Sequence, residues 1–230
     1  MKIEIVQCLA GAAQAKGVVV MIDVFRSGNT VAAMLAAGAP FVQPVSEVDE
    51  ARALKAANPG WLLAGERGGV KIEDFDLDNS PAAAISMDLT NRPAVITTSA
   101  GTRGLQAASA QAQVLLMATL VNARLTADYI QALNPDVVTM VAIGLGAHTP
   151  AEEDDAVAEY LTDLLMGRPV DYHRTVRTML TGSGGDRMRS LGLWRDLAWC
   201  LRRDYVGLIP RVTWEEGRMV LRPVAPDSRN

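Results

Sequence analysis

The sequence is poor in cysteine and histidine, has no excess of positive charge and holds no long apolar run, and each shortage removes a class of function. Cys8 and Cys200 stand alone without a CxxC pattern. Neither a disulfide framework nor a zinc ribbon is encoded, which suits a reducing, cytoplasmic compartment, and both thiols are expected to be buried and inert. A formal net charge of −4 argues against a broad surface for nucleic acid or anionic membrane, because such binding rests on clustered Lys and Arg. The apolar runs at 18–22 and 114–116 fall far short of the roughly 20 residues that a spanning helix needs. The start, MKIEIVQ, has no basic segment followed by an apolar one, so a soluble, unprocessed chain is expected.

Missing motifs narrow the chemistry further. His148 and His173 are far apart and lack an RHG phosphohistidine pattern, no CxxxxxR loop follows either cysteine, and Asp23 is not followed two residues later by Asp. These gaps argue against the common covalent phosphatases. No GxxxxGK[ST] loop is present, and the Gly-Leu-Gly run at 144–146 lacks the third glycine of a dinucleotide fingerprint, so nucleoside triphosphate and nicotinamide chemistry lack support.

What remains is a chain of 230 residues, 49% hydrophobic, long enough to bury a sizeable core and expected to form one domain over 1–230. Runs at 3–6, 18–22, 41–45, 61–64, 94–97, 114–117 and 137–143 read as strands. They are nearly continuous in hydrophobicity, as when both sheet faces are covered. Between them lie Ala-rich amphipathic helical stretches at 30–37, 47–57, 102–110, 122–133 and 152–166, with Gly38, Gly60 and Gly167 placed where helices stop. The alternation predicts an α/β fold with a mostly parallel sheet between helices. Over 168–201 the pattern predicts helices broken at 182–185 and at Gly192, then a hairpin from 207–212 and 218–222, then a loose tail over 223–230.

Four constellations fall at strand ends, where such sheets gather ligands. After the strand at 18–22 comes Asp23-Val24-Phe25-Arg26-Ser27-Gly28-Asn29-Thr30. There Asp23 would stand at the strand's carboxyl end, and Arg26, Ser27 and the amides near Gly28 would face an anion; plain helix capping by Ser27 or Asn29 is the alternative. Next, Gly65-Glu66-Arg67-Gly68-Gly69-Val70-Lys71 forms a loop with one acid and two cations, suited to a metal beside a phosphate or simply solvated. Asn79-Ser80-Pro81, just beyond, is primarily a helix start. Third, Thr97-Thr98-Ser99-Ala100-Gly101-Thr102 packs four hydroxyls and a glycine into six positions before a helix, the best phosphate cradle in the chain. Last, Glu152-Glu153-Asp154-Asp155 opens a helix. Each such acid gains about 0.3–1 kcal/mol from the macrodipole, yet four exceed what capping requires, so one or two could ligate Mg²⁺.

Taken in order, IDVFRSGNT, PVSEVDEAR, LAGERGGVKIEDFDLDNSP, TTSAGTRGL, the EEDD helix and DLAWCLRRDYVGLIPRV resemble the 2-phosphosulfolactate phosphatase family over nearly the whole chain, with GERGG…NSP the most specific element. The resemblance implies a three-layer α/β/α fold with a mostly parallel or mixed central sheet. It also implies dependence on Mg²⁺ and hydrolysis of (R)-2-phospho-3-sulfolactate to 3-sulfolactate and phosphate, a step of coenzyme M biosynthesis. The chain departs from the family at Arg26-Ser27-Gly28-Asn29, where Arg-Ala and small hydroxyl residues are usual, and at Ala100, often Asn. Loss of that amide removes a donor able to read the sulfonate or carboxylate.

The expected mechanism is metal-assisted transfer of a phosphoryl group to water. Asp23 with one or more of Glu66, Glu153 and Asp154 would hold Mg²⁺. Arg26, Arg67 and Lys71 would stabilise charge on the phosphoryl oxygens, and the cradle of Thr97, Thr98, Ser99, Gly101 and Thr102, with Ser27, Asn79 and Ser80, would position the group. Asp23 acting as nucleophile is an alternative, as are another phosphorylated hydroxy acid as substrate and a non-catalytic module that binds a phosphometabolite. Arg67→Ala is expected to cut turnover with little loss of fold. The partner is a small phosphomonoester, without nucleic acid or membrane, and a homodimer is compatible with the chain.

Overall fold

In the computed structural model, which describes residues 1–225, ten strands join one sheet: β1 (Lys2–Gln7), β2 (Gly17–Ile22), β3 (Val42–Pro44), β4 (Leu62–Arg67), β5 (Val70–Lys71), β6 (Ala94–Thr97), β7 (Ala112–Met117), β8 (Val137–Ala142), β9 (Ile209–Glu215) and β10 (Arg218–Val224). Ten α-helices accompany them among the described residues: α1 (Cys8–Ala12), α2 (Ser27–Ala36), α3 (Val48–Ala57), α4 (Pro81–Ala84), α5 (Gly101–Ala108), α6 (Ala123–Leu133), α7 (Glu152–Leu165), α8 (Tyr172–Thr181), α9 (Ser183–Ser190) and α10 (Trp194–Cys200). None of these helices is long and apolar enough to cross a membrane.

The strand order is β1-β8-β2-β7-β9-β10-β3-β6-β4-β5. β1, β8, β2 and β7 form one parallel block, and β3, β6 and β4 another. The hairpin β9–β10 lies between them, antiparallel to β7 on one side and to β3 on the other. Three successive antiparallel pairings reverse the strand direction, so the two blocks run opposite ways and the sheet is mixed. The hairpin expected at the end of the chain thus forms the centre of the sheet. Glu216 and Gly217, at φ 50° and 77°, make the tight two-residue turn that matches strand twist.

Alternate residues show why the strands carry continuous apolar runs. Val18, Val20 and Ile22 pack against Ala127 and Ile130 of α6 and Val157 and Leu161 of α7. Val19 and Met21 face the opposite layer, with Val31 and Met34 of α2 and Leu105 of α5. The same layer takes Leu62, Ala64, Ala94 and Ile96 from the second block, while Leu63 and Val95 turn to Ala51 of α3. This is the expected three-layer α/β/α arrangement. Residues 27–35 of α2 are all buried, so the stretch expected to be amphipathic is enclosed on every side, as its lack of any charged residue allows. A flat sheet would put the carboxyl ends of the opposed blocks at opposite edges. Here Asp23 after β2, Gly144 after β8, Glu66 of β4 and Thr98 after β6 nevertheless line one cavity.

Other boundaries differ from the sequence reading for local reasons. β4 continues through Glu66 and Arg67, which pair with Lys71 and Val70; Gly68 and Gly69, at φ 61° and 87°, close a hairpin where a flexible loop was expected. α3 stops at Asn58, whose side chain bonds the Leu54 carbonyl, so Gly60 is not the helix stop. The chain breaks at Gly182 but not through 185. Gly184 and Gly185 lie inside α9, where glycine is required by packing: a Cβ would fall 2.2 Å from Glu153 Oε1 and 2.4 Å from the Met179 carbonyl. Pro223 and Val224 belong to β10, which corrects the tail expected from 223; 226–230 lie outside the described residues. Cys200 is buried, whereas Cys8 is only half-buried.

Candidate active site

Asp23 is the hinge of the site. Its Oδ1 accepts the Ser27 amide at 3.1 Å, and its carbonyl accepts the Gly28 amide at 2.9 Å. From the other side comes α5: a Cβ on Gly101 would lie 2.7 Å from Asp23 Oδ2 and 2.6 Å from Ser27 Oγ. Only glycine lets the two turns approach so closely. The amino termini of α2 and α5 therefore meet at one buried carboxylate, where first-turn amides that have no partner inside their own helix favour negative charge.

Glu66 closes the next side. Oε1 accepts the Ser99 amide at 2.8 Å, and Oε2 accepts the Gly69 amide at 2.6 Å and the Ser99 hydroxyl at 3.2 Å. Arg67, expected to face the phosphoryl group, points elsewhere. Its guanidinium donates to the carbonyls of Glu66 and Ser46 and to Thr97 Oγ1, each at 2.8 Å. Strand alternation explains this, since neighbours in β4 face opposite sides of the sheet. Lys71 is exposed and off the cavity wall. Thr102 donates to the Thr98 carbonyl and lines a separate groove beside Gln43 and Gln106. Ser80 caps α4 through the Ala83 amide and donates to Asp196 at 2.6 Å, so its helix-start role holds.

The four acids of α7 separate into four roles. Glu152 accepts the Ser183 amide of α9 at 2.9 Å, and Asp155 accepts Gln7 Nε2 at 2.8 Å. Asp154 takes the amides of Val24 and Gly144, each at 2.8 Å, and so binds the ends of β2 and β8 together. Glu153 Oε2 is buried without any hydrogen-bond partner. Burial pushes the Asp23 carboxyl up to about 7, against the Ser27 amide bond and with the like charges of Glu66 and Glu153 adding to the rise. Burial, then the charges of Asp23 and Glu153, holds Asp154 well above the ordinary carboxylate range. Glu153 is raised as well, by burial first and by Glu152 and Asp155 after it. Close, desolvated carboxylates of this kind call for protons or a cation.

Arg26 lies on the wall but is neutralised. Its Nη1 donates to Asp78 at 2.9 Å and to Asp196 at 3.0 Å, and its Nη2 to the Gly69 carbonyl at 3.1 Å. Burial alone would lower its pKa, yet these two carboxylates outweigh that and hold it above its ordinary value. Asp78, Asp196 and Arg187 of α9, which also lines the cavity, escaped the sequence reading. Arg26 and Asp196 are 170 positions apart, and no local pattern reports such a pairing.

The cavity enclosed by these groups has a volume of about 480 Å³. Asp23, Arg26, Glu66, Asn79, Thr98, Ser99, Glu153 and Asp154 share its wall, whereas Arg67, Lys71, Ser80, Thr97, Gly101 and Thr102 act from behind it or outside it. Among the described residues no three His, Cys, Asp or Glu side chains form a ready-made ion cage. The donor chemistry nevertheless fits Mg²⁺, which takes one or two carboxylates and completes its shell with water and substrate oxygens. Glu153 Oε2 and Asn79 Oδ1 are buried acceptors without donors. Glu66 and Asp154 already accept amides on both oxygens, which leaves Asp23 and Glu153 as the carboxylates best able to hold the ion.

Comparison with known proteins agrees with this geometry. The family model for 2-phosphosulpholactate phosphatase matches residues 5–215. A relative from Carboxydothermus hydrogenoformans, named probable 2-phosphosulfolactate phosphatase, is 36% identical over 217 residues, covering 88% of this chain and 89% of its own. Proteins of the same name from Caldicellulosiruptor saccharolyticus and Thermoplasma acidophilum are 33% and 30% identical, covering 83% and 89% of this chain and 86% and 89% of their own. With that extent of likeness, the chain belongs to the 2-phosphosulpholactate phosphatase family.

Proposed function

We propose that this protein is a Mg²⁺-dependent phosphoric monoester hydrolase that converts (R)-2-phospho-3-sulfolactate and water to 3-sulfolactate and inorganic phosphate. The observation that carries the reading is the convergence of Asp23, Glu153 and the residues that precede α2 and α5, Arg26 and Ala100, on one cavity, with Gly101 packed against Asp23 behind it. It occurs in a chain similar along most of its length to relatives bearing that enzyme's name.

Asp23 and Glu153 would hold the ion, which when bound polarises a phosphoryl oxygen and acidifies a water. The first-turn amides of α5 and the Thr98 hydroxyl, buried without a partner, donate to the remaining phosphoryl oxygens as charge grows on them. Glu66, fixed by Ser99 and Gly69, keeps the cradle turn against the β4–β5 turn. Water's oxygen bonds to phosphorus, the bond from phosphorus to the C2 oxygen breaks, and that oxygen leaves as the hydroxyl of 3-sulfolactate after taking a proton that balances the one given up by the attacking water.

Ala100 on the cavity wall offers no side-chain donor, which favours as second reading a different phosphorylated hydroxy acid. In either reading the protein works in the cytoplasm, as one domain over 1–230, on a small molecule rather than on nucleic acid or a membrane. Sedimentation of the purified chain tells a homodimer from a monomer.

Phosphate release from 2-phospho-3-sulfolactate, 2-phospholactate and simple alkyl phosphates, with Mg²⁺ or with EDTA, tests the proposal. Release from the first substrate that EDTA abolishes is expected. Release from the others alone would move the substrate to the second reading, and no release from any with Mg²⁺ present would leave a binding module.

A further inference from the structure

The charges on the cavity wall do not balance for the substrate proposed. Asp23, Glu66, Glu153 and Asp154 contribute four carboxylates, and Arg26 and Arg187 two guanidinium groups. Arg26 already faces Asp78 and Asp196. Arg187 is exposed, and among the described residues its hydrogen bond goes to a backbone oxygen, Gly68 O, at 2.6 Å from Nη2. Among the described residues no carboxylate pairs with it; the nearby Arg189 is the one that pairs with Asp186.

The turn beneath Arg187 is shaped to hold it. Gly69, at φ 87°, would bring a Cβ to 3.2 Å from Nη2 and 3.8 Å from Nε of Arg187. The two glycines of the β4–β5 turn thus leave room for a planar guanidinium and fix one of its five N–H groups on Gly68. The remaining donors form a preset fork of the kind that matches the oxygens of a sulfonate or carboxylate. A neighbouring stretch of wall, formed by Met188 and Leu191, is apolar, which strengthens a charge-assisted contact nearby.

We propose that Arg187 binds one of the two anionic groups that the substrate bears beside the phosphate ester, the sulfonate or the carboxylate, and thereby selects polyanionic esters over simple ones. This rests on the phosphatase reading above and deepens it. A purely structural role, tying α9 to the β4–β5 turn, is the rival account.

Steady-state kinetics of wild type, Arg187→Met and Arg187→Lys on 2-phospho-3-sulfolactate, 2-phospholactate and isopropyl phosphate separate the two, with thermal melts of each variant. Loss of a charge-assisted fork should lower kcat/KM for the esters that carry an anionic group besides the phosphate by about 10- to 100-fold relative to isopropyl phosphate, mostly through KM. A relative loss for phosphosulfolactate alone assigns the contact to the sulfonate, and a loss shared with phospholactate assigns it to the carboxylate. Lys should give a smaller shift in the same direction and serves if Met fails to fold. An equal loss on all three esters, or none, overturns the assignment. If the wild type hydrolyses nothing, calorimetry with 3-sulfolactate decides: binding that Arg187→Met abolishes sustains Arg187 while the phosphatase reading fails. Unchanged binding, or none to the wild type, removes Arg187 as well.

Discussion

Glu66 and Glu153 are both buried acids on one wall, and their environments separate their roles. Glu153→Gln removes a like charge from a crowded set and deletes a ligand without stranding a donor. Its expected outcome is a fall in Mg²⁺-dependent kcat of about 100-fold or more, with an unchanged or higher melting temperature in the metal-free protein. Glu66→Gln places an amide against donors now satisfied by Oε2, so calorimetry should show a stability loss of about 1–3 kcal/mol. Arg67 was expected from its place in GERGG to act on the phosphoryl group. Its three contacts with Ser46, Glu66 and Thr97 instead predict that Arg67→Ala lowers stability by about 1–3 kcal/mol in urea unfolding. A melting curve identical to wild type would contradict that placement. The residue types needed for phosphate and metal chemistry were legible in the sequence. Which of two adjacent residues faces the cavity was decided by strand phase.

Among the elements, helix starts set the geometry, and glycines decide how near they come. The Asn79-Ser80-Pro81 start was legible because capping is a local interaction. The close approach of α5 to α2 was not, since it joins Gly101 to Asp23 and Ser27 through tertiary packing. A methyl group at Gly101 must displace one of them, so Gly101→Ala should reduce turnover at least about tenfold while the chain still folds, at a cost of about 1–3 kcal/mol. The same substitution at Gly184 would press on the Glu153 carboxylate, and a weakened Mg²⁺ affinity by calorimetry is the corresponding readout. The β4–β5 hairpin shows a partial success. Its glycines signalled a turn, but the two-residue closure depended on Val70 and Lys71 pairing back on Arg67 and Glu66.

For the whole molecule, the raised acids set how stability varies with pH. Below about pH 4 Asp23, with an ordinary value of 3.8, is protonated in folded and unfolded chains alike and contributes nothing. Between there and about 7 only the unfolded chain releases that proton, so metal-free stability falls as pH rises and levels off above 7; Asp154 and Glu153 act in the same sense. Asp74, held down by Arg52, and Glu215, held down by Arg222, lose their contributions only as pH falls below their ordinary values. Thermal melts in EDTA should therefore peak near pH 4–5, and Mg²⁺ should raise the melting temperature more at pH 8 than at pH 5; an equal increment at both would refute this coupling. Removal of β9 and β10 should leave an unfolded chain by circular dichroism, because the hairpin joins the two parallel blocks. The sequence by itself determined the alternation of strands and helices, the covered sheet and the strand-end clusters, since apolar periodicity and capping act over a few residues. Only the tertiary structure decided that strand ends of the two opposed blocks line one cavity, that Asp78 and Asp196 neutralise Arg26, and that Arg187 reaches the cavity. Those are contacts between distant segments, fixed by strand pairing and burial rather than by any neighbouring residue.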